Sequence, residues 1–415
     1  MVSASPSSRP THHFAPATAW GLALMMLIAL VLDFASGDRL GYADEKDYAA
    51  LATSILHDHR FSYPDYHGGE PIVSRPPGYP AVIAAIYSVA ERPLAAKIVN
   101  TVFLLLATLA LASLATRMVP GAGALMPWLV LASPLLIYCS SLLYPQTLSC
   151  LLLTLTLLLI GGREVSFGQA ALAGICYGVL ILAVPYFQAL LPVLLAYMVI
   201  WAGGRRRAAA LRAGVFALIC VLVVLPWSWR NYREFGAIVP VSANNGFNLF
   251  VGNSPITTAN SGLTVNVLPL CNRLRPHMSE TDFDKALQGC ALDWIEAHPL
   301  DAARLYVAKL VNYFNFRNEV ASAGPGGAWR DWIVFLSYYP LLALALWRAA
   351  LWRRHPLERH EILVLGLYFL NAFASAIFFT RLRFRIPFDF VLLAVAGAFL
   401  HTLWCSRPRS GSGCE

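Results

Sequence analysis

The residues able to do chemistry gather in one polar stretch, Gly41 to Pro80. It opens with Tyr42-Ala43-Asp44-Glu45-Lys46-Asp47-Tyr48 and closes with Arg75-Pro76-Pro77-Gly78-Tyr79-Pro80. A carboxylate held away from bulk water can take a proton from a hydroxyl nucleophile, and like charges this close can raise one carboxylate's pKa. The plainer reading of Asp44 is a solvated charge at the N-terminus of a helix, where the dipole favours anions. The complementary charge comes late in the chain, where Arg381, Arg383 and Arg385 alternate through Thr380-Arg381-Leu382-Arg383-Phe384-Arg385-Ile386-Pro387. Guanidinium groups bind phosphate through several donors at once, so the three arginines read as an anion site. A basic turn or a lipid-headgroup anchor is the bland alternative.

The elements that must position these groups lie in a membrane. Of the 415 residues 58% are hydrophobic and only 13% charged, which excludes an ordinary soluble globular protein and predicts an all-α integral membrane protein. A spanning helix needs about 20 apolar residues to cross roughly 30 Å of hydrocarbon. Ten segments are candidates: 18–36, 94–116, 122–141, 142–161, 167–184, 186–203, 211–228, 330–347, 361–379 and 386–404. With the N-terminus inside, the inner loops carry Arg9, Arg117, Arg163, Arg205, Arg206, Arg207, Arg212, Arg348, Arg353, Arg354, Arg359, Arg407 and Arg409. Of the 23 Asp and Glu, only Glu164, Glu358, Glu361 and Glu415 share that side. The acidic stretch therefore faces out, and so, against the rule, does the late arginine cluster. The net charge of +8 reflects inner-loop arginines and gives no reason to expect nucleic acid as a partner.

This topology divides the chain into an inner tail (1–17), an N-terminal bundle (18–228) containing the outer loop 37–93, an outer lobe (229–328), the last spans (329–404) and a second inner tail (405–415). No small-residue cleavage site follows the first apolar run, which reads as a retained anchor. Within the outer loop, Tyr48, Leu51, Ala52 and Ile55 make one apolar helical face, so a surface helix is expected over 44–56. Residues 81–90 are too few to span and are expected to dip into the interface. In the lobe, Asn244-Asn245-Gly246 and Gly252-Asn253-Ser254-Pro255 are turn signals, and 279–297 reads as a capped amphipathic helix that Pro299 ends. Cys271 and Cys290 share this lobe, either bridged or free. His57 and His59 flank Asp58, but a polar loop explains them better than a metal, and no cofactor is expected.

Four islands now bear on a family: Asp44-Glu45 with Tyr48-Ala49; Arg75 to Pro80; Pro226-Trp227 through Arg230-Asn231-Tyr232 to Gly246-Phe247-Asn248-Leu249 and Gly252-Asn253; and Arg381 to Pro387. Together they resemble the GT-C superfamily of membrane glycosyltransferases, close to glycosyltransferase family 39 with its protein O-mannosyltransferase-like branch and the lipid A aminoarabinose transferases. The resemblance implies a GT-C multi-span helical bundle in the bacterial inner membrane with its active site facing the periplasm. It also implies an enzyme that moves a sugar from a polyprenyl-phosphate donor to a protein, lipid or glycan acceptor in one inverting displacement. Asp44 would then be the base and Glu45 would tune it or orient the acceptor. Arg381, Arg383 and Arg385 would hold the phosphate and stabilise the charge developing on it. Arg75 reads either as a substrate contact or as a salt bridge to the acidic loop. Arg230 with Asn231 either touches the carrier or ends a span. Lys309 reads as a phosphate ligand or as a snorkelling lysine.

The sequence departs from that family twice. Gln146 stands in Tyr144-Pro145-Gln146-Thr147, where relatives often carry Glu, and Val184-Pro185 stands where they tend to have Arg-Pro. Both changes remove charge near the expected site and make a divalent metal less favoured. The alternative is a transporter or flippase of lipid-linked sugars, or a non-catalytic subunit. Nearly charge-free central spans with polar chemistry at one surface favour the enzyme.

Overall fold

A computed structural model of the protein describes residues 16–63, 69–202, 206–317 and 328–406. The two tails, with Arg9, His12, His13, Arg407, Arg409 and Glu415, lie outside the described residues, as does Arg205. The described parts of every segment expected to span are mainly helical. α1 (Pro16–Ser36) is followed by α2 (Ala43–His57), α3 (Gly78–Tyr87) and α4 (Pro93–Met118). Next come α5 (Met126–Leu131), α6 (Pro134–Ser140), α7 (Gln146–Ile160), α8 (Phe167–Ala183), α9 (Leu191–Ile200) and α10 (Arg206–Phe235). α11 (Asn245–Gly252), α12 (Glu280–Ala297) and α13 (Pro299–Tyr313) build the lobe, and α14 (Ala328–Ala350), α15 (Arg359–Ile377) and α16 (Leu382–Cys405) complete the chain. The fold is that of a multi-pass helical membrane protein.

The expected ten full spans need correction. Six described helices, α1, α4, α10, α14, α15 and α16, are long and apolar enough to cross a membrane, and the α5–α6 region, bent by 73°, makes at most a seventh span. The segments expected as the fourth to sixth spans are short: α7 has 15 residues, α8 has 17 and α9 has 10. At 1.5 Å per residue α7 is about 22 Å long, well under the roughly 30 Å of hydrocarbon. Proline sets these limits, since α7 begins after Pro145 and α8 ends just before Val184-Pro185. Helices that stop short at one end leave a recess there.

Helix burial follows composition. α16 is apolar over Ile386–Phe399 apart from Asp389, and those residues are nearly all buried against α4, α7, α14 and α15, as a central helix requires. α10 packs on α8 and α9 but leaves Leu211, Leu218, Val221, Leu222 and Leu225 exposed, a surface suited to lipid.

Over the recess, α2 forms where its apolar spacing predicts it and buries Tyr48, Leu51 and Ala52. It packs on α3, where Tyr48 and Tyr79 meet edge to face at 5.4 Å. Gly78 makes the close approach of α3 to α8 feasible, because a Cβ there would stand 2.5 Å from the Ala183 nitrogen. That contact brings Arg75 toward the end of α8.

In the lobe, Ser279 caps α12 by accepting from the Asp282 amide at 3.1 Å, as expected. Asn244-Asn245-Gly246 is not a turn but the start of α11, and the Gly252–Asn253 signal is its end. Cys271 and Cys290 are joined by a disulfide beside a small core of Phe250, Val251, Val267, Leu287 and Phe379.

Candidate active site

The recess is a cavity of about 1050 Å³, and the late arginine cluster reaches it through a single member. Arg383, in the first turn of α16, pairs through Nη1 with Oδ2 of Asp44, a residue 339 positions earlier in the first turn of α2. The other oxygen, Oδ1, accepts from Arg75 Nη2 at 2.9 Å, and the same Nη2 also reaches Asp47 Oδ2. Asp44, Asp47, Arg75 and Arg383 all line the cavity. Two remote islands thus meet at the cavity through Asp44 and Arg383, without Arg381 or Arg385.

The electrostatics of Asp44 differ from the like-charge expectation. Burial raises its pKa, but the Arg383 and Arg75 guanidinium groups outweigh burial and hold the carboxyl below its ordinary value. Burial likewise opposes the charge on Arg75, but Asp44, Tyr48, Tyr63 and Asp47 together outweigh it, so Arg75 is held above its ordinary value. Arg383 also lies over the Tyr144 ring, 5.9 Å from its centroid. Much of the remaining lining is apolar, with Leu249, Leu263, Ile377, Phe378, Phe379 and Pro387. The cavity is therefore amphipathic, combining paired cations and carboxylates with hydrocarbon. An amphiphile with an anionic head matches that pattern.

The structure places the other expected site residues in scaffolding. Glu45 is 1% exposed and does not line the cavity. Its Oε2 accepts from the Gly41 amide at 2.8 Å and the Tyr42 amide at 3.0 Å, and its Oε1 accepts from the Leu143 amide at 3.0 Å. Both oxygens tie the start of α2 to the α6–α7 turn, so Glu45 stands in the scaffold behind Asp44 and not in the cavity, where a group that orients the acceptor was expected. Glu45→Gln should cost about 1–3 kcal/mol, because the new amide donor faces a backbone N–H. A thermal-melting shift with unchanged turnover per folded molecule checks this.

Arg385 is 1% exposed, donates to Asp389 Oδ2 at 2.8 Å and to the Tyr313 carbonyl at 2.6 Å, and lies 3.5 Å over the Tyr338 ring. Arg381 donates to the Ser261 carbonyl at 2.9 Å and packs on Gly262. The three arginines alternate in sequence but sit at the head of a helix, where a spacing of two turns the chain by about 200° and sends Arg383 and Arg385 to nearly opposite sides. That geometry corrects the reading of the three as one phosphate site.

Arg230 clamps the outer loop, donating to the Ile72 carbonyl at 2.8 Å and stacking on Trp227 at 4.9 Å. Asn231, fully buried, donates to the Val239 carbonyl at 3.0 Å. Lys309 does not snorkel: it is 0% exposed, with Nζ bonded to the Gly252 carbonyl at 2.8 Å, Asn253 Oδ1 at 3.0 Å and the Phe378 carbonyl at 2.8 Å. Burial pushes its pKa down to about 7, while this ring of acceptors suits the ammonium. Gly252 is needed at that junction, since a Cβ would fall 1.8 Å from the Phe378 oxygen. Arg230, Lys309, Arg381 and Arg385 are absent from the cavity lining, and of these Arg230 and Lys309 fix its walls by bonding the lining residues Ile72, Ile377 and Phe378.

Sequence reasoning missed several lining residues. Tyr144 and Gln146 belong to a turn whose position it did anticipate. Asn248 belongs to an island already singled out, whereas nothing local marks Glu280 or Gln288, which enter through the packing of α11 on α12. Glu280 accepts from the Ser74 amide at 2.9 Å and its hydroxyl at 3.1 Å, fixing the residue before Arg75.

The sequence matches no protein-family profile and no curated protein. Among solved structures, the chain is similar to that of ArnT from Cupriavidus metallidurans bound to undecaprenyl phosphate, with a TM-score of 0.45 and 16% identity over 92% of this chain and 78% of that one. The apo state of the same protein gives a TM-score of 0.43 and 17% identity over the same shares.

Proposed function

We propose that this protein is a GT-C type glycosyltransferase of the bacterial inner membrane. In this reading it moves a sugar from a polyprenyl-phosphate donor to a hydroxyl of a protein, lipid or glycan acceptor at the periplasmic face. One observation carries the reading: Asp44 is held between Arg75 and Arg383 in a cavity with much apolar lining. The apolar wall suits a polyprenyl chain, the guanidinium pair suits its phosphate, and the carboxylate between them suits a base.

The chemistry runs as a single displacement. The acceptor oxygen attacks the anomeric carbon, the bond from that carbon to the phosphate oxygen breaks, and the acceptor proton passes to Asp44. Polyprenyl phosphate leaves with the bonding electrons, and the anomeric configuration inverts. The leaving group is already a stable anion, so the protein's task is to orient the partners and to stabilise the growing negative charge with Arg383 and Arg75. A bound phosphate draws guanidinium contacts away from Asp44, which raises the basicity of the carboxylate when the donor arrives. No metal is required by this scheme.

In the free enzyme, Asp44 is ionised down to below the ordinary Asp value of about 3.9. The pH profile of kcat/KM should therefore show no acid limb from Asp44 between about pH 5 and 8, with the fall beginning only below the ordinary carboxylate range. Stability follows the same sign. A depressed folded pKa adds stability above the unfolded value and loses it as pH falls through the folded one.

The direct test incubates the purified protein in lipid with polyprenyl-phosphate sugars and acceptors, then measures free polyprenyl phosphate and the anomeric configuration of the product. Release with inversion supports the reading; a protein that binds the donor, moves it across vesicles and never cleaves it overturns it.

A further inference from the structure

The polar groups of the cavity divide sharply by chemistry. Its carboxylates are engaged: Asp44 by Arg75 and Arg383, Asp47 by Arg75, and Glu280 by the backbone and hydroxyl of Ser74. Its amides are not. Gln146, Gln188, Asn244, Asn245, Asn248 and Gln288 line the same cavity, and their side chains make no hydrogen bond to the described residues. Gln146 is only 8% exposed, at the head of α7 two residues beyond Tyr144, and its Oε1 is buried without a partner. A buried amide oxygen left unpaired is costly, and a turn of the Gln146 side chain toward a hydroxyl donor in the cavity would relieve that cost.

A carboxamide offers two donors and an acceptor with no net charge, which complements hydroxyl groups that donate and accept in turn. An ammonium on a sugar would find Asp44 and Asp47 already held by arginine and Glu280 already bound by the amide and hydroxyl of Ser74, and a sugar carboxylate would compete with the phosphate for the same two guanidiniums. We infer that the amides lining the cavity bind an uncharged, hydroxyl-rich sugar, one bearing neither amine nor carboxylate. This rests on the polyprenyl-phosphate reading above and adds the class of sugar to it. The sugar is either the one on the donor or one presented by a glycan acceptor, and the chemistry of recognition is the same.

The test measures dissociation constants for the purified full-length protein in lipid nanodiscs. The ligands are bare polyprenyl phosphate, polyprenyl phosphate carrying a neutral hexose, an amino sugar or a uronic acid, and a neutral methyl glycoside without lipid. Binding by the neutral donor should be about tenfold tighter than by the bare phosphate, as expected for one or two added hydrogen bonds, with no such gain for the charged sugars. Gln146→Leu and Asn248→Leu should erase the gain and leave binding of the bare phosphate unchanged, which a merely structural role would not do. If the lipid-free glycoside binds with the same dependence on Gln146 and Asn248 while the neutral donor shows no gain, the sugar is the acceptor's. Should an amino sugar or uronic acid bind tighter than the neutral sugar, or the gain survive both substitutions, the inference is overturned while the lipid-phosphate reading stands. Failure of bare polyprenyl phosphate to bind overturns both.

Discussion

Asp44→Asn should abolish sugar transfer and, at the same time, tighten the binding of the bare lipid phosphate. The loss of transfer follows from removing the base, an effect of about 10²–10⁴-fold in rate for a positioned proton acceptor. The gain in binding follows from the ion pairs. In the native protein the Asp44 carboxylate occupies donors of both Arg75 and Arg383, and an incoming phosphate must displace them. An asparagine carries no charge to compete with it, so Arg383 is released for the ligand while Arg75 keeps only its pairing with Asp47. Asp44 is partly shielded, with 15% of its side chain exposed, and the substitution also removes its own anchoring of the two arginines. A matched pair of measurements, single-turnover transfer and equilibrium binding of polyprenyl phosphate, checks both halves. A variant that loses transfer and phosphate binding together would show that Asp44 holds the arginines in place rather than accepting the proton.

Arg383→Ala and Arg385→Met should fail in different ways although the residues are two apart. Without Arg383, one of the two cavity guanidiniums is gone, and transfer should fall by about 10²–10³-fold, as when one donor to a developing anion is removed. Asp44 then keeps only Arg75, so its pKa rises and the acid limb of the pH profile moves upward. Melting should change little, because Arg383 has a third of its side chain exposed in the cavity. Without Arg385, Asp389 is left inside the helical core with no cation beside it, a loss of about 3–5 kcal/mol for a buried pair broken on one side. The outcome expected for Arg385→Met is poor yield and a lowered melting temperature, with near-native turnover in whatever folds. Lysine at 385 should recover only part of the stability, since it cannot reach Asp389 and the Tyr313 carbonyl with the same fork or lie flat on the Tyr338 ring.

Asp44 and the arginine cluster could be read from residue type, because a carboxylate and guanidinium groups flanking apolar segments are conspicuous for their desolvation cost alone. Helix positions were legible for the same reason: hydrocarbon demands runs of apolar residues, and α2 and α12 carry their own periodicity and caps. Span length was less legible, since the run of apolar residues continues through Pro145 and Pro185 while the helices do not.

Charge type, helix type and the membrane setting were thus written in the sequence, each being a local consequence of side-chain chemistry and backbone propensity. Which arginine faces the carboxylate was decided only in three dimensions, by the rotation of α16 about its axis and its burial among α4, α7, α14 and α15. The same holds for Glu45 and Lys309. Each looks available for catalysis or phosphate in one dimension, and each is consumed by backbone groups that chain packing brings to it. A polar side chain's role depends on which partners reach it first, and partners distant in the chain are fixed by the packing of whole helices.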